Sequence, residues 1–188
     1  MKYSFRLDMI FAGAMMIGSI AASAEPVVFS CPKPGTVEQR GGYTYKYNGP
    51  SPRDPYLCTG VDSFDKPFAR MFNWYGPSYS KAPNLRSDML GLLSGTQTSV
   101  SFTFEDKSSE TWKFLRREHV TIAGKQINAM MFDHERQRHP NSTHPFHGHF
   151  TVWLDPANGL WVKSVLTSSD GEVAREGKPY QDTLITLP

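Results

Sequence analysis

The clearest alternation of apolar and polar residues lies between Glu118 and Leu166. Three runs rich in β-branched and aromatic residues, 118–132, 150–154 and 161–166, are separated by polar or turn-forming segments. Runs of this length and composition are typical of β-strands. We therefore predict an antiparallel meander in this part of the chain.

Shorter strands are predicted on either side of the meander. Residues 43–47 alternate so that three tyrosines share one face, and residues 98–104 alternate valine and phenylalanine with serine and threonine. Such alternation is typical of a half-buried strand. Further strands are expected at 111–116 and 182–187. The fold is therefore predicted to be mainly β, as a curved antiparallel meander or partly open barrel.

One short helix is predicted within residues 82–95. Its apolar residues recur at a spacing that places them on one stripe, and Gly95 is suited to end the helix. The stripe consists of Leu85, Met89, Leu92 and Leu93. A helix of this length depends on tertiary contacts for its stability, so we predict that it caps the sheet.

The chain begins with the pattern of a secretory signal peptide. Lys2 and Arg6 precede an apolar run at 9–22, and the sequence Ala-Ser-Ala ends at residue 24 with the small residues that signal peptidase recognises. The apolar run is too short to span a bilayer comfortably. We therefore predict a leader at 1–24 and a periplasmic or secreted mature protein at 25–188, which forms one domain.

The two cysteines, Cys31 and Cys58, both follow the predicted leader. In an oxidising compartment such a pair tends to close into a disulfide. The bond would stabilise the Pro- and Gly-rich segment 25–81 by about 3 kcal/mol in the chain-entropy model, while segment 82–188 forms the sheet. The alternative is lipidation of Cys31 after Val-Phe-Ser at 28–30, which would leave Cys58 as a free thiol.

The balance of charges narrows the class of partner. The leader holds Lys2, Arg6 and Asp8, so the 20 basic and 18 acidic residues of the chain fall to 18 and 17 in the mature protein. This balance gives no long-range field that would attract nucleic acid or an anionic membrane. We expect no nucleic-acid partner, and no second apolar segment of the sequence is long enough for a transmembrane span.

Two motifs carry a resemblance to known proteins. Residues 120–124 read Val-Thr-Ile-Ala-Gly, and residues 153–163 read Trp-Leu-Asp-Pro-Ala-Asn-Gly-Leu-Trp-Val-Lys. In these motifs the chain resembles a loosely defined set of uncharacterised bacterial exported or envelope β-sheet proteins, and it is distantly similar to the half-barrels of lipoprotein carriers. The resemblance covers roughly 92–166. It implies an exported β-sheet protein and transfers no catalytic residue.

The second motif is a hairpin turn in physical terms. Proline fixes φ, and Asn158 and Gly159 are predicted to take left-handed conformations. The flanking strands are predicted to bury Trp153 and Val162. The motif therefore specifies a hairpin and no reaction.

Histidine is concentrated in one part of the sequence. Five histidines lie within 16 residues: His134, His139, His144, His147 and His149. Residues two apart on a strand share a face, so His147 and His149 can chelate one ion. A hairpin centred between residues 141 and 142 would place His134 directly opposite His149. Three imidazoles so arranged would suit Zn²⁺ or Cu²⁺.

Two observations favour a different interpretation of the histidines. The segment 136–145 has the composition of a solvated hairpin tip, where histidine is common. Asp133 and Glu135 alternate out of phase with His134, so they are not expected in the same ligand set. Metal binding is therefore the alternative function, and no other cofactor is expected.

The sequence contains none of the common hydrolase, zincin or nucleotide-binding motifs. We therefore predict a non-enzymatic protein. Its aromatic content exceeds the needs of a core of this size, which favours a concave sheet that binds a lipid or other apolar ligand, or an envelope protein partner. The residues predicted to bind this ligand are Trp74, Phe102, Phe104, Trp112 and Trp153.

Overall fold

The structure is a computed structural model that describes residues 28–40, 42–122, 124–139, 146–171 and 184–186. The predicted leader and His144 lie outside these ranges. Within them, ten strands form two antiparallel sheets, and the chain has one helix. The prediction of a mainly β, antiparallel fold with one short helix is confirmed, whereas the division of the strands into two sheets was not predicted.

The first sheet is built mainly from the N-terminal part of the described chain. Its strands are β1 (Val37–Arg40), β2 (Tyr43–Ser51), β3 (Asp54–Val61), β4 (Pro67–Met71) and β10 (Leu184–Thr186). Their spatial order is β10-β1-β2-β3-β4. The pairing of β2 with β3 shifts register between Pro50 and Ser51. A proline is tolerated at such an irregularity because it has no N–H to donate to the ladder.

The second sheet is the predicted meander, extended by one strand at its start. It contains β5 (Ser99–Thr103), β6 (Ser109–Ile122), β7 (Lys125–Gln137), β8 (Phe146–Leu154) and β9 (Trp161–Gly171). Neighbours along the chain are neighbours in space. Side chains alternate between two faces of a sheet. We call the face that bears Trp112, Phe132 and Val152 the inner face, and the face that bears Met131 and Trp153 the outer face.

The helix α1 (Leu85–Ser94) matches its prediction closely. All four residues of the predicted stripe are buried, and Gly95 ends the helix with φ of 80° and an N–H directed at the carbonyls of Gly91 and Leu92. The buried stripe packs in the main core with Val100, Phe132 and other residues of the inner face. No helix in the described part of the chain has the length and apolar character needed to cross a membrane.

The predicted disulfide between Cys31 and Cys58 is confirmed. The two Cα atoms are 5.2 Å apart, and both residues are buried in the main core. Because the bond occupies the sulfur of Cys31, it is incompatible with the alternative of a lipid on that residue. The disulfide ties the segment before β1 to β3 and so anchors the first sheet to the core.

Candidate functional site

A cleft of about 330 Å³ lies where the inner face of the second sheet meets the first sheet. Most of its lining residues are aromatic or charged. The first sheet and the turn after β4 contribute Arg40, Tyr43, Tyr45, Trp74, Tyr75 and Tyr79. The second sheet contributes Glu110, Trp112, His134, Arg136, Trp161 and Ser164.

A strained turn after β4 places Trp74 in the cleft wall. Phe72 and Asn73 have positive φ angles of 52° and 70°. Asparagine adopts this conformation readily, but for phenylalanine it is rare and costs on the order of 1–3 kcal/mol. Both side chains are fully buried. The surrounding packing therefore holds Phe72 in a conformation that it does not favour.

The hairpin loop between β8 and β9 docks on this turn. The carbonyl of Gly159 accepts the Trp74 Nε1–H at 2.6 Å and lies 3.5 Å from Asn73 Nδ2. Gly159 has φ of 69°, and a Cβ at this position would lie 2.6 Å from the Phe72 carbonyl oxygen. Only glycine fits here. The hairpin motif found in the sequence therefore joins the two sheets beside the cleft.

Two predictions about this hairpin have different outcomes. The prediction that the flanking strands bury Trp153 and Val162 is confirmed. The prediction of left-handed backbone at both Asn158 and Gly159 is wrong for Asn158, since only Gly159 of the two has positive φ. Asn158 contributes through its side chain instead: its Nδ2 donates to Asp155 at 2.8 Å and its Oδ1 accepts the Leu160 N–H. These bonds fix the loop without a second left-handed residue.

A polar network lies at the base of the cleft. The Trp112 Nε1–H donates to the Tyr75 hydroxyl at 3.0 Å, and this hydroxyl donates to Glu110 Oε2 at 3.2 Å. Arg136 Nε is 3.3 Å from Glu110 Oε1, and His134 Nε2 is 3.4 Å from Oε2. Charges removed from water need such partners. The carboxylate is therefore held between a phenol and two basic side chains.

The surroundings shift the pKa values of this network in opposite directions. Burial alone would raise the pKa of Glu110, but His134, Arg136 and the Tyr75 hydroxyl favour the carboxylate more strongly, so the pKa lies below its usual range. Burial and the charge of Glu110 both raise the pKa of Tyr75 well above the ordinary value. At neutral pH Glu110 is therefore ionised, and Tyr75 is a neutral hydrogen-bond donor.

Aromatic rings stack along the same part of the cleft. The Trp112 ring lies 3.8 Å from the His134 ring, with 17° between their planes, and 5.3 Å from the Trp74 ring, with 19° between their planes. His134 is only 4% exposed. Its Nε2 faces the Glu110 carboxylate, but among the described residues its Nδ1 makes no hydrogen bond, and the same holds for the buried Nε1 of Trp161. The cleft thus contains polar atoms with unused hydrogen-bonding capacity.

Arg40 brings a second guanidinium to the cleft. Its Cζ lies 5.1 Å from the centre of the Trp161 ring and 5.6 Å from that of Tyr45, within the range of a cation–π contact. Its Nη1 is 3.6 Å from the fully buried Glu38 carboxylate. A guanidinium has five N–H donors. Pairing with one carboxylate therefore leaves donors that can face a ligand.

The five residues predicted to bind an apolar ligand do not form one surface. Trp74 and Trp112 line the cleft. Phe102 and Phe104 are buried in the main core against Tyr75. Trp153 lies on the outer face, where it belongs to a separate apolar cluster and donates its Nε1–H to Glu118. The interior of the second sheet is largely filled by its own side chains and α1.

Several cleft residues were missed by the sequence analysis. Tyr45 belongs to the tyrosine alternation at residues 43–47, which predicted only that these tyrosines share one face of a strand. Arg40 and Trp161 carry no such signal, because they meet only when the two sheets pack together. The cleft is a product of contacts between distant segments, which local patterns do not encode.

The predicted register of the histidine hairpin is wrong by one residue. His134 pairs with Phe150, and His149 pairs with Glu135. A one-residue shift moves a side chain to the opposite face of a sheet. His134 therefore lies on the inner face beside Trp112, while His147 and His149 lie on the outer face, and the three imidazoles do not converge.

The chain has little similarity to known proteins. No family model and no curated protein matches the chain. Among solved structures, the chain is similar to YmcC, a hypothetical lipoprotein from Escherichia coli K12, with a TM-score of 0.46 and 12% sequence identity over 86% of this chain and 90% of that one. A likeness at this level does not establish a shared function.

Proposed function

We propose that the protein is an exported, non-enzymatic binding protein and that the cleft between its two sheets is the binding site. The ligand class that suits the cleft best is a saccharide, which has hydroxyl groups along its edges and apolar C–H faces. This proposal refines the apolar ligand predicted from the sequence. A purely apolar ligand or a protein partner becomes an alternative for experiment to distinguish.

The observation that carries the proposal is the unused hydrogen-bonding capacity of buried atoms in the cleft. The Nδ1 of His134 and the Nε1–H of Trp161 lack hydrogen-bond partners among the described residues, whereas His134 Nε2 faces the Glu110 carboxylate. A buried polar group without a partner costs about 1–3 kcal/mol, so such groups call for an explanation. A ligand hydroxyl that inserts between the rings lining the cleft would satisfy them.

The ring faces of the cleft support the same ligand class. Trp74, Trp161 and Tyr45 are only partly buried and line the cleft together. Aromatic faces of this kind contact weakly polar C–H groups favourably. Arg40 and Arg136 place N–H donors beside these rings. A hydrocarbon chain would cover the rings but would leave the guanidinium groups without new partners.

Binding is favoured over catalysis by the state of Glu110. Its pKa lies below the usual range because of its basic neighbours. A general acid at neutral pH needs a raised pKa. A carboxylate that is held ionised by Arg136 and bonded to Tyr75 is therefore better suited to orient groups than to transfer a proton.

The proposed location outside the cytoplasm rests on two features. The N-terminal sequence has the pattern of a signal peptide. The disulfide between Cys31 and Cys58 belongs to a class of bond that persists in oxidising compartments and is rare in the cytosol. Both features favour export to the periplasm or beyond.

The proposal is tested by calorimetric titration of the purified protein with neutral oligosaccharides, uronic-acid oligosaccharides and a long-chain fatty acid. We expect saturable binding of at least one oligosaccharide class, and Trp74→Leu should weaken it about tenfold, the equivalent of losing one aromatic contact. The matched control is Trp153→Leu, which removes a tryptophan from the outer face and should leave the affinity unchanged.

Three outcomes would contradict the proposal. The first is the absence of saturable binding with every oligosaccharide. The second is binding of the fatty acid alone, which would restore the apolar ligand predicted from the sequence. The third is oligosaccharide binding that Trp153→Leu weakens and Trp74→Leu does not, because the site would then lie on the outer face.

A further inference from the structure

The outer face of the second sheet carries a cluster of potential metal ligands that is separate from the cleft. His147 and His149 are two residues apart on β8 and share this face. Glu135 on β7 lies directly opposite His149 in the strand register. The sheet backbone therefore brings two imidazoles and one carboxylate together without any contribution from a loop.

The distances within the cluster are short. His147 Nε2 is 2.6 Å and His149 Nε2 is 3.9 Å from Glu135 Oε1. One ligand atom from each of the three residues lies within 4.8 Å of the other two. In a tetrahedral site with metal–ligand bonds of about 2.0–2.2 Å, ligand atoms are separated by roughly 3.3–3.6 Å. Small side-chain rotations would bring all three atoms to those separations.

We propose that Glu135, His147 and His149 form a binding site for a divalent transition-metal ion, with Zn²⁺ as the best match. Two imidazoles and one carboxylate are a ligand set that zinc uses, with a fourth position left for water or another molecule. The ion would lie between β7 and β8 on the outer face. This site replaces the predicted set of three histidines, because Glu135 takes the place of His134.

Asp133 strengthens the assignment through His149. Its Oδ1 lies 3.7 Å from His149 Nδ1, on the side of the ring away from Glu135. A histidine that binds metal through Nε2 commonly directs its other ring nitrogen to a carboxylate, which fixes the ring and raises its basicity. The separation of 3.7 Å is longer than a hydrogen bond, so Asp133 would act as a positioning residue once the His149 ring turns slightly toward it. Its charge and that of Glu135 together balance the two positive charges of the ion.

The accessibility of the cluster suits exchange of an ion with solvent. The side chains of His147, His149 and Glu135 are 35%, 38% and 40% exposed. Each is thus partly ordered by the sheet yet open to solution. His134 cannot join them, since it is buried on the other face against Trp112.

The test is calorimetric titration of the chelator-treated protein with Zn²⁺ and, in a second series, with Cu²⁺. We expect one equivalent of Zn²⁺ to bind with a Kd below about 100 μM, the limit above which binding is incidental. His147→Ala, His149→Ala and Glu135→Gln should each weaken binding by about tenfold or more, and Asp133→Asn should weaken it by about 10- to 100-fold. Circular dichroism of each variant verifies that it is folded.

The matched control is His119→Ala, which removes an exposed histidine from β6 where Asn128 is the paired residue. This variant should bind Zn²⁺ as the wild type does. A wild-type Kd weaker than about 100 μM for Zn²⁺ would overturn the proposal. So would unchanged binding in His147→Ala and His149→Ala, or an equal loss in His119→Ala.

Discussion

The two faces of β7 contain similar residue types in very different states. On the inner face, His134 and Arg136 surround the Glu110 carboxylate, and the histidine is buried beneath Trp112. On the outer face, Glu135 meets His147 beside solvent. The comparison shows that strand alternation alone separates an ionic network in a cleft from an exposed cluster of histidine and carboxylate side chains.

The physical consequences of the two environments differ. On the inner face, few water molecules can stabilise a charge, so Glu110 depends on its basic and phenolic neighbours. On the outer face, the partly exposed side chains remain hydrated and can exchange their partners. Interactions of the inner face should therefore contribute to folding stability, while those of the outer face should contribute mainly to binding.

The largest expected effect is the loss of Trp112, whose ring is almost fully buried on the inner face. We expect Trp112→Ala to reduce the free energy of unfolding by about 3–5 kcal/mol, because it removes a large core side chain and leaves a cavity. Denaturant unfolding measures the change. Lys113→Ala is the control on the opposite face, and a comparable loss there would show that the two faces do not differ in this way.

A smaller, pH-dependent effect is expected for Glu110. We predict that Glu110→Gln lowers the free energy of unfolding by about 1.5–3 kcal/mol at pH 7, the contribution of a hydrogen-bonded charge. The pKa of Glu110 is lower in the folded protein than in the unfolded chain. The contribution is therefore complete at pH values above the pKa of the unfolded chain, about 4.3. It is lost as the pH falls through the pKa of the folded protein.

The check is denaturant unfolding of wild type and Glu110→Gln between pH 3 and pH 7. The difference between their free energies of unfolding should become smaller toward pH 3. Glu105→Gln, a change at an exposed glutamate in the turn that leads to β6, serves as the control. A difference that is constant with pH would mean that the Glu110 charge does not stabilise the inner face.

A third effect concerns the contact beside the cleft between the β8–β9 hairpin and the turn after β4. Gly159→Ala should reduce the free energy of unfolding by about 1–2 kcal/mol more than Gly124→Ala. Both glycines have positive φ, but only at Gly159 would the new Cβ collide with the Phe72 carbonyl. Thermal unfolding of the two variants separates the two effects, because both variants have the backbone strain and only Gly159→Ala has the collision. Equal losses would indicate that the hairpin does not press against the turn after β4.

The local parts of the fold were predictable because each depends on a short pattern. The stripe from Leu85 to Leu93 predicted the helix, and Gly95 predicted its end. The cysteine pair predicted the disulfide. The prediction that His134 lies with His147 and His149 is wrong, because the register of β7 and β8 depends on the conformation of the connecting loop, which the sequence does not specify.

The cleft could not be predicted in the same way. Arg40 and Trp161 are far apart in sequence and meet only because the strands form two sheets rather than one. The first sheet ends at β4 and the second begins at β5, with α1 between them. No local pattern indicates that β4 and β5 do not pair with each other. Trp153, which the sequence analysis placed with Trp112, faces the other way because of its position in the pleat.

The separation of the two faces is tested most directly by labelling histidines with diethylpyrocarbonate and mapping the labelled peptides by mass spectrometry. In the folded protein, His147 and His149 should react while His134 stays unlabelled, and His134 should react once the protein is unfolded in denaturant. Reaction of His134 at the rate of His149 in the folded protein would contradict the account.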